Sequence, residues 1–283
     1  MIPPTSIDGT DITGATIDGT DVQEITVDGD VVFSAGSPSP SGKYMIVSDR
    51  TFGDVFMYEM STPFDISTAG SPQSQFRPGG DLRGCGVSPD GTKVYVFESN
   101  QKLSQYGLTT PFDLSNTNLE DNTLNAASGG DLSFNIDGSI LYVGSETQAT
   151  IDQYNLSTQY DISSRDSGTQ GSFSHNIFGI SVVDSGQKLY VSNGLNGLFK
   201  HDLTTPYDIR TNTNTQQINF IPDDTRGFAL REDGTRFFAD NRDNDTLEVY
   251  DMTTPYDINT ITFVDSISAP TSDCIGIGLN GIS

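Results

Sequence analysis

The chain has 283 residues and a formal charge of −24, from 38 acidic and 14 basic residues. So acidic a surface repels nucleic acid and anionic membranes, and no nucleic-acid partner is expected. No stretch approaches the roughly 18 continuous apolar residues of a membrane-spanning helix, so no membrane insertion is expected.

The acidity comes mainly from aspartate, which supplies 31 of the 38 acidic residues, while lysine is scarce. A surface of this kind resembles that of proteins from salt-saturated cytoplasm, where screening removes the cost of self-repulsion. We therefore expect a halophilic protein. An acidic secreted or virion protein from ordinary salinity is the alternative.

A short repeat occupies the first 36 residues, with Asp-Gly pairs at 8–9, 18–19 and 28–29. Asp-Gly supplies the positive φ of tight hairpin turns, and the flanking residues alternate between apolar and polar as strands do. A segment this small cannot bury enough surface to fold alone. It is predicted to be a β anchor that forms a homo-oligomer, a trimer or pentamer, or packs on a partner; a flexible tail is the alternative.

The N-terminus has no basic region and no apolar run, so it does not resemble a signal peptide. Residues 37–42, within a stretch rich in Ser, Pro and Gly, are predicted to be a linker. The rest of the chain, residues 43–283, has a different organisation.

A six-residue phrase recurs five times in this second part. Each copy has a Ser/Thr pair, Pro or once Gln, an aromatic residue, Asp, and Ile or Leu. Successive aspartates are separated by 48, 48, 47 and 49 residues: Asp65, Asp113, Asp161, Asp208 and Asp257. A fixed period of this length indicates a repeat architecture. Pro sets φ for a turn and Asp can accept a backbone bond two residues on, so the phrase is predicted to be structural.

Each period predicts four strands. In one unit they cover residues 84–88, 93–97, 103–106 and, more weakly, 119–126, and the phrase forms the turn between the last two. Four strands in about 48 residues, with no helical period, are typical of a propeller blade.

The first and last units are incomplete in complementary ways. The first begins with a second strand at 44–47, and the chain ends with a first strand at 274–279. We predict that these two strands pair and close the ring, which removes the open edge. The predicted fold is all-β, a five-bladed β-propeller closed by the C-terminal strand.

Alternating strand directions sort the loops onto two faces. The turns between first and second strands and the five phrase turns form what we call the turn face. The loops between second and third strands and the crossovers between blades form the loop face. The loop face varies in sequence, and variable loops on a rigid scaffold are where binding usually occurs. The candidate binding residues are Arg50, Phe52, Asn100, Glu146, Asn196, Asp240, Arg242, Asp243 and Asp245 in the loops, with Asp81, Arg83, Asp224, Arg226 and Asp273 at the mouth of the central channel.

The N-terminal segment joins the propeller at Lys43, where a second strand starts, and hence on the turn face. The anchor and the variable loops are therefore expected at opposite ends of the propeller.

The channel-mouth residues have two interpretations. Asp81 and Arg83 occupy positions equivalent to Asp224 and Arg226 on the inner strands. They predict either a small polar or ionic site or ion pairs that fix neighbouring blades to each other. The oxygen-rich segment 240–245 could hold Ca²⁺ or another cation, but it lacks the bidentate Glu of a full calcium loop, so no cofactor is predicted.

Signals for catalysis are weak. The histidines His175 and His201 lie in different strand contexts, which indicates neither a metal site nor a nucleophile relay. Propeller lactonases and glycosidases place acids in the channel, so a hydrolase or lyase acting on surface polysaccharide is the alternative. The two cysteines, Cys85 and Cys274, are expected to be buried thiols, with a disulfide as the alternative.

Residues 88–96, Ser-Pro-Asp-Gly-Thr-Lys-Val-Tyr-Val, and their copies resemble YVTN-type and WD-like propeller repeats of surface and virus proteins. This resemblance covers residues 43–283 and implies the fold rather than the function.

Residues 17–29 resemble the N-termini of virion appendage proteins, such as turrets, spikes and tail fibres, of tailed viruses that infect haloarchaea in particular. The resemblance implies a virion-surface protein that is made in the host cytoplasm and attached through its N-terminus to a capsid or tail protein. The propeller would then bind a host receptor, such as a glycan or an S-layer protein. A cellular interaction scaffold is a further alternative.

Overall fold

The computed structural model describes residues 42–125, 129–194, 197–218 and 224–280, together with six short strands between residues 6 and 34. Contacts divide the chain into two units, Met1–Ser39 and Pro40–Ser283. No helix among the described residues is long and apolar enough to cross a membrane.

The first unit contains three antiparallel strand pairs, and each pair flanks one Asp-Gly dipeptide of the short repeat. The strands are β1 (Ser6–Ile7), β2 (Thr10–Asp11), β3 (Thr16–Ile17), β4 (Thr20–Asp21), β5 (Glu24–Val27) and β6 (Asp30–Ser34). Most of the predicted linker, residues 37–41, lies outside the described residues. The anchor and its oligomerisation remain predictions.

The second unit is a ring of five four-stranded antiparallel sheets, which confirms the predicted all-β five-bladed propeller. Its strands are β7 (Tyr44–Asp49), β8 (Val55–Glu59), β9 (Ser74–Phe76), β10 (Leu82–Val87), β11 (Lys93–Glu98), β12 (Lys102–Leu108), β13 (Thr117–Asn125), β14 (Gly129–Phe134), β15 (Ile140–Ser145), β16 (Thr150–Asn155), β17 (Thr169–Ser172), β18 (Gly179–Val183), β19 (Lys188–Ser192), β20 (Leu198–Leu203), β21 (Asn212–Ile218), β22 (Phe228–Leu230), β23 (Arg236–Asn241), β24 (Thr246–Met252), β25 (Ile261–Ser268) and β26 (Cys274–Leu279). Blade 1 is β26-β7-β8-β9, and blades 2 to 5 are β10–β13, β14–β17, β18–β21 and β22–β25.

The ring closes as predicted, because β26 pairs antiparallel with β7. Ile277 lies opposite Val47 and Leu279 opposite Met45. Asn280 extends the seam, since its Oδ1 accepts a hydrogen bond from the Tyr44 amide at 2.8 Å. Blade 1 is thus made from both ends of the unit, and neither end leaves an inner strand unpaired.

The hydrophobic core lies between blades. Each of five buried clusters combines side chains of two neighbouring blades, such as Tyr95 and Phe97 of blade 2 with Leu141 and Ile162 of blade 3. The alternation of apolar residues along each strand places one set of side chains on each side of the blade. Burial therefore holds the blades face to face.

The phrase turns also join blades. In each copy the aromatic residue has a left-handed φ of 56° to 65°. Each Asp side chain accepts the backbone N–H two residues on, as predicted. The carbonyls of Tyr160, Tyr207 and Tyr256 accept hydroxyl bonds from tyrosines of the preceding blade: Tyr95, Tyr142 and Tyr190. At the closing junction Arg236 Nη1 donates to the Phe64 carbonyl at 2.8 Å instead.

A glycine lies beneath the aromatic ring of every phrase. The pairs are Gly42 with Phe64, Gly91 with Phe112, Gly138 with Tyr160, Gly186 with Tyr207 and Gly234 with Tyr256. In each pair the aromatic amide donates to the glycine carbonyl. The first turn and the phrase turn of each blade therefore lie on the same face, as predicted.

We predict that Gly138→Ala destabilises the propeller by about 2 kcal/mol or more. Gly138 has φ of +69°, and a Cβ there would lie 2.3 Å from the Tyr160 ring. The left-handed conformation alone costs a non-glycine residue about 1–2 kcal/mol. Chemical unfolding measures the change in free energy. Gly70→Ala is the control, because no atom lies within 4 Å of the added Cβ. Equal stability of the two variants would contradict the packing role of the turn.

Candidate binding site at the channel mouth

The interior of the central channel is almost filled. Side chains of all five inner strands enclose a cavity of about 40 Å³, lined by residues such as Cys85, Leu132, Ile180, Phe228 and Ile277. Inner-strand glycines bring the backbones close, since a Cβ on Gly276 would lie 3.1 Å from the Gly84 Cα. A volume of this size holds about three waters. This cavity is too small for anything larger.

The mouth of the channel on the loop face carries eight paired charges, which we call the mouth cluster: Arg50, Asp81, Arg83, Glu146, Asp224, Arg226, Arg242 and Asp273. Four of the nine arginines of the chain are here. The eight formal charges cancel within the cluster, although the protein as a whole is strongly acidic.

One half of the cluster runs from blade 1 to blade 3. Arg50 Nε lies 3.1 Å from Asp81 Oδ1, and Arg83 Nη2 lies 3.2 Å from Asp81 Oδ2. Arg83 Nη1 then lies 3.2 Å from Glu146 Oε1, in the loop between β15 and β16. These contacts link three consecutive blades.

The other half joins blade 5 to blade 1. Arg226 Nε donates to Asp224 Oδ1 at 2.9 Å, and Arg242 binds both Asp224 and Asp273. Asp273 also accepts a hydrogen bond from Thr51 Oγ1 at 2.7 Å, which connects the two halves. The mouth residues therefore form the ion pairs between blades that the sequence suggested.

Arg83 is incompletely satisfied. Its Nε and Nη1 atoms are buried and have no hydrogen-bond partner; the Nη1 contact with Glu146 has the distance of an ion pair without hydrogen-bond geometry. Burial lowers the pKa of Arg83, and Glu146 and Asp81 partly oppose this change. A buried N–H without an acceptor costs about 1–3 kcal/mol. The mouth cluster thus contains unused donors.

Glu146 lies among three arginines. Burial raises the pKa of its carboxyl group, although Arg83, Arg226 and Arg50 each act to lower it. At Glu146, as at Arg83, burial therefore disfavours the charged form more than the neighbouring opposite charges favour it.

Two aromatic residues are neighbours of cluster residues, Phe52 along the chain and Phe178 in space. Phe52 follows Arg50 in the loop between β7 and β8, and 56% of it is exposed. Its amide donates to the Asp49 carboxylate at 2.5 Å, which fixes the turn. Phe178, in the crossover to blade 4, lies 4.9 Å below the Arg226 guanidinium. The loop that carries Arg50 and Thr51 of the mouth therefore also carries an exposed aromatic ring.

Other sequence candidates lie outside the cluster. Asn100 accepts the Lys102 amide and donates to Glu98, so it stabilises the turn between β11 and β12. The residues Asp243 and Asp245 are exposed in the turn between β23 and β24. Asn196 lies outside the described residues.

Asp240 is buried rather than presented to a ligand. Its two oxygens accept backbone N–H bonds from Arg226 at 2.8 Å and Gly227 at 3.1 Å, and burial raises its pKa to about 7. Its carboxylate therefore binds the backbone of residues 226–227 instead of pointing into the 240–245 loop, where the sequence allowed a Ca²⁺ site. Within the described residues, no three His, Cys, Asp or Glu side chains are grouped as metal ligands.

The two histidines, which the sequence did not connect, are neighbours. The rings of His175 and His201 stack with centroids 5.4 Å apart, and Phe199 stacks on His175 at 3.8 Å. The Nδ1 atoms contact the Ser174 and Thr215 hydroxyls, while both Nε2 atoms are buried without a partner. Burial lowers the pKa of each histidine to about 4. The strand pattern could not predict this contact, because His175 lies in the crossover between β17 and β18, whereas His201 lies on β20.

The two cysteines are free and buried. Burial raises the pKa of Cys274 to about 12 and that of Cys85 further. They are inert thiols of the inner strands.

No protein-family model and no curated protein sequence matches the chain. Its fold is similar to a putative 6-phosphogluconolactonase from Bacteroides uniformis, with a TM-score of 0.51 and 12% identity over 83% of this chain and 71% of that one. Hydrazine synthase from Kuenenia stuttgartiensis gives a TM-score of 0.51 and 10% identity over 86% and 88%. A protein from Lactobacillus plantarum gives 0.50 and 15% over 93% and 79%. At such identities the similarity extends to the propeller fold alone.

We predict that the histidine pair makes the protein less stable in mild acid. Both histidines are neutral in the fold, with pKa near 4 against 6.5 when unfolded. Their contribution is complete above pH 6.5 and is lost as pH falls from 6.5 towards 4, by roughly 2 kcal/mol per histidine at pH 5.

Chemical unfolding at pH 7.5 and pH 5 measures this loss. The double variant His175→Phe/His201→Phe keeps the aromatic stack and is expected to lose clearly less stability between the two pH values, whereas the aspartates contribute equally in both proteins. The same pH dependence in both would contradict the assignment.

Proposed function

We propose that the protein is an attachment module that binds a glycan through the loop face of its propeller. The observation that carries this proposal is the mouth cluster together with the exposed Phe52 ring, two residues after Arg50 in the same loop. An exposed aromatic face packs on the apolar side of a sugar ring, while charged side chains bond its hydroxyl groups. The propeller supplies a rigid support for these groups.

The position at which the chain enters the propeller supports the proposal. The Gly42 carbonyl accepts the Phe64 amide at 2.9 Å, so the chain joins on the turn face. The mouth cluster belongs to the loop face, at the opposite ends of the propeller strands. This arrangement suits a protein that is held at one end and binds at the other.

The resemblance of residues 17–29 extends the proposal to a virion appendage of a halophilic tailed virus. In this account the N-terminal unit binds a capsid or tail protein and associates with copies of itself. The loop face binds a host-surface glycan or an S-layer glycoprotein. The acidic surface suits high salt, where the Debye length falls to about 3 Å at 1 M.

A propeller hydrolase or lyase is the rival. A cavity of about 40 Å³ inside the channel has no room for a sugar ring. Such an enzyme would have to act at the mouth, where most carboxylates are already paired with arginine.

We predict that Phe52→Ala lowers the affinity for glycans about tenfold, since an aromatic contact contributes about 0.5–1.5 kcal/mol beyond its buried area. Binding of the full chain to a glycan microarray, followed by calorimetric titration of the strongest hit, measures this effect. Phe263→Ala is the matched control, because Phe263 is 58% exposed on β25, in the outer strand of blade 5.

Equal affinity of the two variants would remove Phe52 from the site. Sugar release from a bound glycan by the wild-type chain would instead support the hydrolase or lyase.

We predict that the full chain self-associates through its first unit. Native mass spectrometry is expected to give a trimer or pentamer for residues 1–283 and a monomer for a chain shortened to begin at Ser41. The five strongly packed core clusters of the propeller make the shortened chain the appropriate comparison. A monomeric full chain would contradict the oligomeric anchor.

A further inference from the structure

We propose that the mouth cluster contains an oxyanion subsite, in which Arg83, Arg50 and Arg226 bind an acidic group of the glycan and Glu146 occupies that place when no ligand is bound. The inference rests on the proposed function, because it assigns the ligand chemistry of the same site. The ligand class is an acidic polysaccharide that carries carboxylate or sulfate groups.

The first argument is the unused hydrogen-bonding capacity of Arg83. A guanidinium has five N–H donors in a fixed geometry. Asp81 accepts a hydrogen bond from Nη2 at 3.2 Å, but the buried Nε and Nη1 atoms have no hydrogen-bond partner. A ligand oxyanion that accepts a hydrogen bond here would remove the penalty of a buried unpaired donor.

The second argument is that three arginines act on the carboxylate of Glu146. Arg50 and Arg226 both act on Arg83 as like charges. Glu146 experiences attraction from all three guanidinium groups, although it approaches only Arg83 as an ion pair. Arg50 and Arg226 are each paired with an aspartate, Asp81 and Asp224. The Arg83 Nη1 atom, in contrast, pairs only with Glu146, and this contact lacks hydrogen-bond geometry. A ligand oxyanion has the charge and the acceptor atoms to replace Glu146.

The third argument is that Glu146 can leave. It lies in the loop after β15 rather than on a strand, and its side chain is 16% exposed. Burial raises the pKa of its carboxyl group, so the charged form is held less firmly than three arginines would suggest. Protonation of Glu146 breaks its ion pair with Arg83, and ligand affinity is therefore expected to rise as pH falls through its pKa.

The remaining surface suits a sugar that carries the acidic group. Phe52 offers an exposed ring in the same loop as Arg50, and Phe178 holds the Arg226 guanidinium from below. The net charge of −24 repels an anionic polymer at long range, and salt screens this repulsion. Short-range binding at the arginines then decides which polymer is retained.

Calorimetric titration of the full chain at one fixed salt concentration tests the subsite. The probes are D-glucuronate, glucose 6-sulfate and neutral glucose. We expect both anions, or one of them, to bind at least tenfold more tightly than glucose, and the comparison between the two identifies the acidic group. Binding of all three sugars with equal affinity would overturn the proposal.

Variants separate a ligand role from a structural one. Arg83→Gln is expected to reduce anion affinity at least tenfold, whereas Glu146→Gln is expected to increase it severalfold and to abolish its pH dependence. Arg210→Gln, on the turn face, is the control and should leave affinity unchanged. A loss of affinity in Glu146→Gln would contradict the proposal, and this variant remains informative even if Arg83→Gln fails to fold.

The two proposals fail in different ways. If glycans bind but charge makes no difference, the oxyanion subsite is wrong and the attachment function stands. If neither the microarray glycans nor the three sugars bind, the attachment function is wrong as well.

Discussion

The mouth cluster depends on one pairing, that of β26 with β7. This pairing joins the end of the propeller to its beginning and places Asp273, just before β26, beside Arg50, just after β7; the Arg50 amide donates to the Asp273 carbonyl at 2.9 Å. Arg242 of blade 5 binds the same aspartate. If the ring opened at this seam, the two halves of the cluster would separate. The closure that removes an exposed strand edge therefore also assembles the candidate site.

The two faces of the propeller use different interactions. On the turn face, an aromatic residue with positive φ covers a glycine in every blade, and its carbonyl accepts a hydrogen bond from a side chain of the preceding blade at all five junctions. Strained backbone of this kind persists only where surrounding contacts fix it. On the loop face, arginine–carboxylate pairs join blade 5 to blade 1, blade 1 to blade 2 and blade 2 to blade 3, and they leave some donors of Arg83 unused. On the turn face the same contacts recur in every blade, whereas on the loop face Arg83 has N–H donors that a ligand can use.

The sequence predicted the elements that repeat. Its period, its turn residues and its incomplete first and last units indicated five blades and the seam at Tyr44, because these features are local. It also indicated ion pairs at the mouth from the equivalence of Asp81 and Asp224. It did not predict that Glu146 lies among three arginines, that Asp240 faces backbone amides, or that His175 stacks on His201. Those contacts depend on loop and crossover conformations, which the packing of neighbouring blades determines.

A structure of the full chain with a glucuronate-containing oligosaccharide tests the central claim most directly. The account predicts that a ligand carboxylate lies within hydrogen-bond distance of Arg83 Nε or Nη1, with the Glu146 side chain displaced and a sugar ring against Phe52. A ligand bound on the turn face, or at the mouth with the Arg83–Glu146 pair unchanged, would contradict it.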